Sequence, residues 1–532
     1  MQGLIFSPTA VIQFLEHKAK GIYMEVNFTI GNSLLQISSP SGDLPIDLKK
    51  KLESRLCYSH VSFNNTGAFR RHPSFSSEVR IVFRYDAKNN LVCPRGFASR
   101  LKKELTDSGV KVNMFDIDAD YHKGAAFNID IDRMARVLQL RDKQDDCLAA
   151  LMSSRDGLIV APTGFGKSFM FSAICMAYPN AKIHIVTRRV DVMKRLYGSL
   201  SKLIPTIGMV GSGSNRWGRV TVITADSMHK ISHAGEQCAD ILLYDEAHEA
   251  VADSYQAELG KYLKTRKFGF TASPDGRMDG AHFLLEAIFG PRIFEMSYDQ
   301  AVKSDLVVPI KVEWIPVDCV NPCGDLNGVP KERWGIWRND VRNSAIAEKA
   351  KTYGDDEQVL IMVKSVEHAV YLKQFLPDYK LCYDSMDPPD YQRYIKKGLL
   401  TELDEPLMVP ARRESMRVKF ERGELKKVIS TDVWSTGVDF AQLSVLIRAD
   451  ARASKIVDIQ APGRVSRKHD PSSKKSGLVI DCMDNFDFSF MNRSRSRKLS
   501  YKKMGWEEVR PNTKTPIQPS DSIEIMEEAF DE

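Results

Sequence analysis

Two short segments bring together the residue types needed to hold a phosphate chain and attack it with water. APTGFGKS at 161–168 follows an apolar run and precedes FMFSAICMAY, an apolar helical pattern. Gly164 and Gly166 let the backbone wrap a phosphate closely, with N–H groups and the following helix N-terminus facing the anion. In such a loop Lys167 contacts the β and γ phosphates and Ser168 ligates Mg2+. Thr163 lies in the same loop. The general pattern opens with glycine, where this chain has Ala161. The second segment is YDEAHE at 244–249, directly after the apolar run ILLY. Asp245 at a strand end can hold the magnesium ion, and Glu246 can orient or deprotonate the attacking water. Such a tetrapeptide alone also fits a surface turn. Its place downstream of Lys167, between strands, is what makes it specific.

These side chains need a rigid sheet behind them. From 126 to 304 short apolar runs alternate with helical patterns: LIVA at 158–161, IHIV at 183–186, VTVI at 220–223 and ILLY at 241–244. Continuous apolar runs of this length read as parallel strands buried on both faces. The theme repeats over 305–510, with VLIMV at 359–363, VIS at 428–430, VLI at 445–447 and LVI at 478–480. Two α/β units in series imply two lobes with a cleft between them. Residues 1–125 read as a small basic α+β domain. EVNFTIGNSLLQIS alternates like a hairpin, and DLKKKLESRLCYS reads as a short basic amphipathic helix. VRIVFRYDAKNNLVCPRG suggests two strands around an Asn-Asn turn, and FASRLKKELTDSG a helix stopped by Gly109. Residues 511–532 form an acidic tail, either solvated and mobile or docked as a regulatory segment.

Composition excludes several classes. The chain has 532 residues, 43% hydrophobic and 27% charged, ordinary for a globular protein of several domains. No run of eighteen apolar residues predicts a membrane span, and the start has no basic region of a secretory signal. The nine cysteines are scattered, which argues against a disulfide framework and for a reducing setting. Cys319 and Cys323 lack a second ligand pair nearby, so no zinc site is expected. The expected location is the cytoplasm, that of a bacterial host if a phage encodes the chain. A net charge of +6 is weak evidence for a polyanionic partner.

Taken in order, the motifs resemble those of the superfamily 2 helicases and translocases over about 130–500. The resemblance implies two tandem RecA-like P-loop lobes and ATP-driven movement on nucleic acid. APTGFGKS resembles motif I, where alanine in the first position is normal, and DEAH at 245–248 resembles motif II. Gln144 matches an upstream glutamine that reads the adenine edge in relatives, with Arg141 beside it. VTRRVDVMKRL at 186–196 and VITADSM at 222–228 stand where relatives line the nucleic acid path. This makes Arg188, Arg189 and Thr224 candidates for backbone contacts. FTASP at 270–274 resembles motif III, with Thr271 and Ser273 expected to bond His248 or Asp245. In the second lobe, IMVKSVEHAVYL at 361–372 resembles motif IV. The run 417–440 leads into motif V: Thr431 and Asp432 end a strand, and Thr436, Gly437 and Asp439 are expected near the cleft, with Asp439 toward the nucleotide and Thr431 and Thr436 toward nucleic acid. IQAPGRVSR at 459–467 resembles motif VI. There Gln460, Arg464 and Arg467 are expected to face the γ phosphate, the arginines sharing one helix face.

The overall plan resembles phage recombination helicases of the branch-migration type. That implies DNA as partner, in forked, branched or R-loop form, with an RNA:DNA hybrid as a further partner, and a monomer in action. The run FMNRSRSRKLSYKKMGW at 490–506 is expected to offer Arg493, Arg495 and Arg497 to DNA. No nuclease constellation is present; PDGRMDG at 274–280 lacks the paired acidic-lysine element. An RNA helicase, or a duplex translocase that remodels without separating strands, remains the alternative.

Overall fold

The computed structural model describes residues 24–31, 33–64, 74–117, 136, 138–204, 206–233, 239–274, 280–401, 409–434, 440, 442–467 and 475–510. The chain start, the acidic tail, Thr436, Gly437 and Asp439 lie outside these residues.

The N-terminal strands are β1 (Glu25–Ile30), β2 (Leu34–Ser38), β3 (Cys57–Asn64), β4 (Ser74–Ile81), β5 (Arg84–Tyr85), β6 (Leu91–Pro94) and β7 (Lys111–Asp116). Five form a sheet in the order β5-β6-β2-β1-β7, and β3 pairs with β4 separately. β1 and β2 make the expected antiparallel hairpin. Their alternate residues Val26, Phe28, Leu35 and Ile37 are fully buried, as a sheet with one covered face requires. Helices α1 (Ile46–Arg55) and α2 (Ala98–Asp107) supply Leu48, Leu52, Leu101 and Leu105 to the same core. The Asn-Asn turn is present between β5 and β6: Asp86 accepts from the Lys88 and Asn90 N–H groups, and Asn89 takes a φ of 59°. Val79, Arg80 and Ile81, read with that hairpin, instead end β4 and pair with β3.

The first lobe contains β8 (Gly157–Val160), β9 (Ile183–Thr187), β10 (Ile207–Gly211), β11 (Ser214–Arg216), β12 (Val220–Thr224), β13 (Ile241–Asp245), β14 (Arg266–Thr271) and β15 (Arg292–Glu295). Their order is β11-β10-β12-β9-β13-β14-β8-β15, parallel except for β11. Helices α3 (Gln144–Ser153), α4 (Lys167–Ala177), α5 (Val190–Leu200) and α6 (Phe283–Phe289) accompany it. The second lobe contains β16 (Ile310–Val317), β17 (Val359–Met362), β18 (Lys380–Cys382), β19 (Lys427–Ser430), β20 (Val445–Arg448), β21 (Gly477–Asp484) and β22 (Glu507–Glu508). Its order is β18-β19-β17-β20-β21-β16-β22, parallel throughout. Helices α7 (Asp340–Lys351), α8 (Val366–Phe375), α9 (Lys455–Gln460) and α10 (Phe488–Lys503) accompany this sheet. In both lobes the chemistry-bearing residues follow the carboxyl ends of parallel strands, where open α/β sheets place their sites.

The N-terminal unit is fastened to the first lobe. Phe97 packs on Phe283 with ring centres 4.9 Å apart, and Arg100 donates to Glu286 at 2.9 Å. Arg95 forms a buried ion pair with Asp156. Gly96 permits this approach, because a Cβ there would lie 1.8 Å from the Glu286 carbonyl oxygen.

Candidate nucleotide site and interlobe cleft

β8 is buried along its whole length and delivers the chain directly into the glycine loop. Gly164 and Gly166 adopt φ values of 94° and 97°, conformations that side chains rarely tolerate. Space at both positions is tight as well. A Cβ on Gly166 would lie 2.5 Å from Gln144 Nε2, and one on Gly164 would lie 3.0 Å from Val307 Cγ1. α4 begins at Lys167 immediately after the loop. Gln144 is buried at the start of α3, where its Nε2 donates to the Phe165 carbonyl at 2.6 Å and its Oε1 accepts from Arg141 N at 2.9 Å. Arg141 in turn donates to the carbonyls of Leu306 and Gly164, at 3.1 and 3.3 Å. Both residues therefore shape the glycine loop itself.

Asp245 ends β13, and β14 separates that strand from β8. Burial and the neighbouring Glu246 charge push the Asp245 carboxyl up to about 6, against the pull of Lys167 and Arg195. Glu246 follows in a left-handed conformation, φ 52°, which turns its carboxylate toward three partners. Lys167 Nζ lies 3.3 Å from one oxygen; Gln460 Nε2 lies 3.1 Å and His248 Nδ1 3.5 Å from the other. Burial works against the Glu246 charge, but Lys167, His248 and Arg464 together hold its carboxyl below the ordinary value. His248 is buried, and its Nδ1 meets Thr271 Oγ1 at 3.1 Å, while that oxygen also accepts from Ser273 N at 3.0 Å. His248 and Thr271 thus latch DEAH to FTASP as the resemblance implied, whereas Ser273 joins through its backbone N–H and not its hydroxyl.

The second lobe closes this arrangement. Gly463 packs against Thr163: a Cβ there would lie 3.2 Å from the Thr163 Cβ. A Cβ on Gly164 would lie 3.5 Å from Arg467 Cγ, and within the second lobe Val308 N holds this turn by donating to the Ser466 carbonyl at 2.7 Å. The two arginines do not share an α-helical face. α9 stops at Gln460, a 3-10 turn spans Pro462–Ser466, and Arg467 leaves it in extended conformation with ψ 139°. Pro462 cannot continue an α-helical ladder because it has no N–H.

The other candidates are distributed more widely. Arg188 is largely exposed and pairs with Glu249 at 3.1 Å. Arg189 crosses the cleft and donates to the Val433 carbonyl at 3.3 Å. Thr431 and Thr224 are buried, and the Thr224 hydroxyl donates to Ser227 at 2.8 Å, so Thr224 does not offer its side chain to a surface ligand.

The basic run on α10 requires a correction. Arg495 is exposed, but Arg493 pairs with Glu332 at 2.6 Å, and Arg497 is fully buried with its Nε 2.9 Å from Asp481. The helix turns Arg497 into the sheet, so it is a core residue and not a DNA contact. Arg497→Ala would strand the Asp481 carboxylate; a loss of about 3–5 kcal/mol of unfolding free energy is expected in denaturant titration. A loss below about 0.5 kcal/mol, the range of a surface substitution, would contradict this placement.

Sequence reasoning also missed Arg448, Arg452 and Asp458, which link the cleft-facing segments of the second lobe. The available signal was a charged RADAR run directly after the apolar VLI.

The loop and its partners fit the expected ligands. Gly164 and Gly166 keep the loop in a tight wrap that Cβ atoms would press against Val307 and Gln144, and Ser168 and Asp245 supply the hard oxygen donors that Mg2+ prefers. In the metal-free protein the raised Asp245 carboxyl takes up a proton as pH falls through about 6, and proton and Mg2+ compete for the same oxygens, so Mg2+ affinity should weaken below that pH. An Mg2+ affinity that stays flat from about pH 7 to about pH 5 in calorimetry would contradict Asp245 as a ligand.

Two family models match the two lobes. The family described as "Type III restriction enzyme, res subunit" matches residues 137–276, and "Helicase conserved C-terminal domain" matches 344–469. The "DNA 3'-5' translocase XPB2" of Sulfurisphaera tokodaii is 24% identical over 377 residues, covering 65% of this chain and 81% of the relative. Among solved structures, S. cerevisiae Dbp5 bound to RNA and ADP BeF3 shares the fold at TM-score 0.51 and 13% identity, covering 73% of this chain and 95% of its own. T4 UvsW aligns over 92% of this chain and 99% of its own, at 17% identity and TM-score 0.39. Two RecA-like domains with the ordered motifs meeting across one cleft make this chain a member of the superfamily 2 helicases and translocases, an ATP-hydrolysing motor.

Proposed function

We propose that this motor works on DNA, unwinding or remodelling forked, branched or R-loop structures in recombination, replication or repair. The observation that carries the mechanism is the convergence on Glu246 of Lys167 from the first lobe and Gln460 from the second. In this reading Lys167 and the loop N–H groups hold the β and γ phosphates of ATP. Gln144 and Arg141, which shape the loop, are proposed to read the adenine edge. Glu246 orients the attacking water and takes its proton. Arg464 and Arg467 bring positive charge from the second lobe to the transferred phosphoryl group, so hydrolysis depends on closure. Ser168 and Asp245 would hold Mg2+, which would supply charge neutralisation at the phosphates. Asp439 is proposed as a further nucleotide contact, and Thr431 and Thr436 as strand contacts of the second lobe.

The same closure moves the lobes along a strand, a shift between two states biased by ATP contacts. Arg188, Arg189 and Arg495 are proposed to meet the sugar–phosphate backbone, so binding weakens with salt. The N-terminal unit, residues 1–125, is proposed as an accessory DNA grip that travels with the first lobe, since Phe97, Arg95 and Arg100 fasten it there. One chain supplies both the phosphate loop and the arginines, which supports a monomer in action. A translocase that remodels duplex DNA without strand separation is the second reading, favoured by the likeness to a relative named a translocase.

The test is ATP-driven separation of labelled strands from a fork, a four-way junction, an R-loop and an RNA duplex at one salt concentration. Preference for branched DNA or the R-loop supports the proposal. Separation of RNA alone reassigns the substrate, and DNA-stimulated turnover without separation favours the remodeller.

A further inference from the structure

Among the described residues of the second lobe, three arginines are fully buried: Arg342, Arg448 and Arg497. Two of them fasten helices to the sheet. Arg342 on α7 pairs with Asp484 at 2.8 Å, and Arg497 on α10 pairs with Asp481 at 2.9 Å. Arg448 is placed differently. It ends β20, and its guanidinium is divided between two carboxylates that lead to two different cleft-facing segments of the second lobe. Nη1 donates to Asp458 at 2.8 Å and to the Tyr501 hydroxyl at 2.9 Å, while Nη2 meets Asp450 at 3.2 Å.

Asp458 lies in α9, two residues before Gln460, the side chain that reaches Glu246 in the other lobe. Asp450 accepts from Arg452 Nε at 2.8 Å, and Arg452 Nη1 donates to Asp432 at 2.9 Å. Asp432 directly follows Thr431 at the end of β19, and it also meets Lys364 Nζ at 3.3 Å. One guanidinium therefore ties the segment that touches the phosphate site to the segment entering motif V.

Stability alone gives little reason for this network. Buried ion pairs gain little over apolar packing of the same volume, because desolvation offsets their attraction. Asp458 Oδ2 is buried with no hydrogen-bond partner among the described residues, a further cost. What the network supplies is fixed geometry: a planar fork with donors aimed at two carboxylates.

We propose that Arg448 is a positioning residue for hydrolysis. It holds α9, and with it Gln460 and the Arg464–Arg467 turn, against the first lobe, and yokes that turn to the Asp432 segment through Asp450 and Arg452. The inference rests on the motor reading above, and concerns which residue outside the cleft sets the position of the second lobe's side chains.

The test uses the full chain and four variants: Asp458→Asn, Arg448→Met, Arg448→Lys and Gln460→Ala. DNA-stimulated kcat, ATP affinity and the unfolding midpoint are measured for each, together with the double variant Asp458→Asn/Gln460→Ala. Asp458→Asn keeps the size of the side chain and removes its charge, so it carries the test even where Arg448→Met fails to fold. Expected is a fall in kcat of about tenfold per folded molecule with ATP affinity nearly unchanged, and little further loss on the Gln460→Ala background, since both act through one element. Arg448→Lys should recover part of the rate, because an ammonium satisfies one carboxylate but not both. A lower unfolding midpoint with unchanged kcat per folded molecule overturns the proposal, as do losses that multiply fully in the double variant. A wild-type chain that shows no DNA-stimulated turnover would instead defeat the underlying motor reading.

Discussion

Lys167→Ala should reduce ATP turnover by at least roughly 10²–10³-fold while leaving most DNA affinity intact. Two losses combine in that variant. The first is the cation that meets the β and γ phosphates at the start of α4. The second follows from the 3.3 Å contact between Lys167 and Glu246. Lys167 is the largest influence keeping the Glu246 carboxyl low, and burial is the influence that raises it. Without the lysine, the carboxylate that must orient water loses its main electrostatic support. DNA affinity should hold because Lys167 pairs with Glu246 in the interlobe cleft, and the residues proposed for the DNA backbone, Arg188, Arg189 and Arg495, are left unchanged. Single-turnover hydrolysis alongside fluorescence anisotropy of labelled DNA separates the two effects. Strong residual turnover would sink the assignment of the phosphate loop.

Arg467→Ala should produce the other large effect, a fall in hydrolysis of roughly 10³–10⁵-fold with ATP binding largely retained. The first lobe supplies the loop, Lys167 and Asp245, so the nucleotide keeps most of its contacts. Arg467 comes from the second lobe and packs beside Gly164, where its charge is available only when the lobes are closed. Removing it should therefore lower kcat far more than it changes ATP affinity, which equilibrium binding of a fluorescent nucleotide can measure. A wild-type rate would mean that the second lobe does not complete the site.

Much of this arrangement was legible in the sequence for a simple reason. Strands buried on both faces must be apolar throughout, so LIVA, IHIV, VTVI and ILLY announced β8, β9, β12 and β13. The glycine loop was legible because its two glycines have steric reasons to be there. β14 was harder, because Arg266 and Lys267 open it. Arg266 is nevertheless buried, its guanidinium satisfied by the carbonyls of Leu151 and Ser154 and by the Tyr178 hydroxyl. Glu313 disguised β16 in the same way, and it is paired with Lys349 at 2.6 Å.

The same effect misled the reading of α10. A run of arginines on one helix reads as a surface patch, yet Arg497 faces two buried aspartates of β21. Local pattern cannot distinguish a solvated cation from one whose counter-ion comes from a distant strand. Contacts across the cleft were hidden for a related reason: Gln460 and Glu246 are 214 residues apart, and only the packing of the two sheets brings them together. The motifs named the participants, and the fold decided which of them meet.

The most direct test is the steady-state rate of ATP hydrolysis by the intact chain, with and without DNA, at low and high salt. A motor that closes on its track should hydrolyse ATP slowly alone and at least about tenfold faster on DNA, with the stimulation fading as salt displaces the backbone contacts. A rate indifferent to DNA at every salt concentration would contradict the coupling between cleft and nucleic acid on which the account depends.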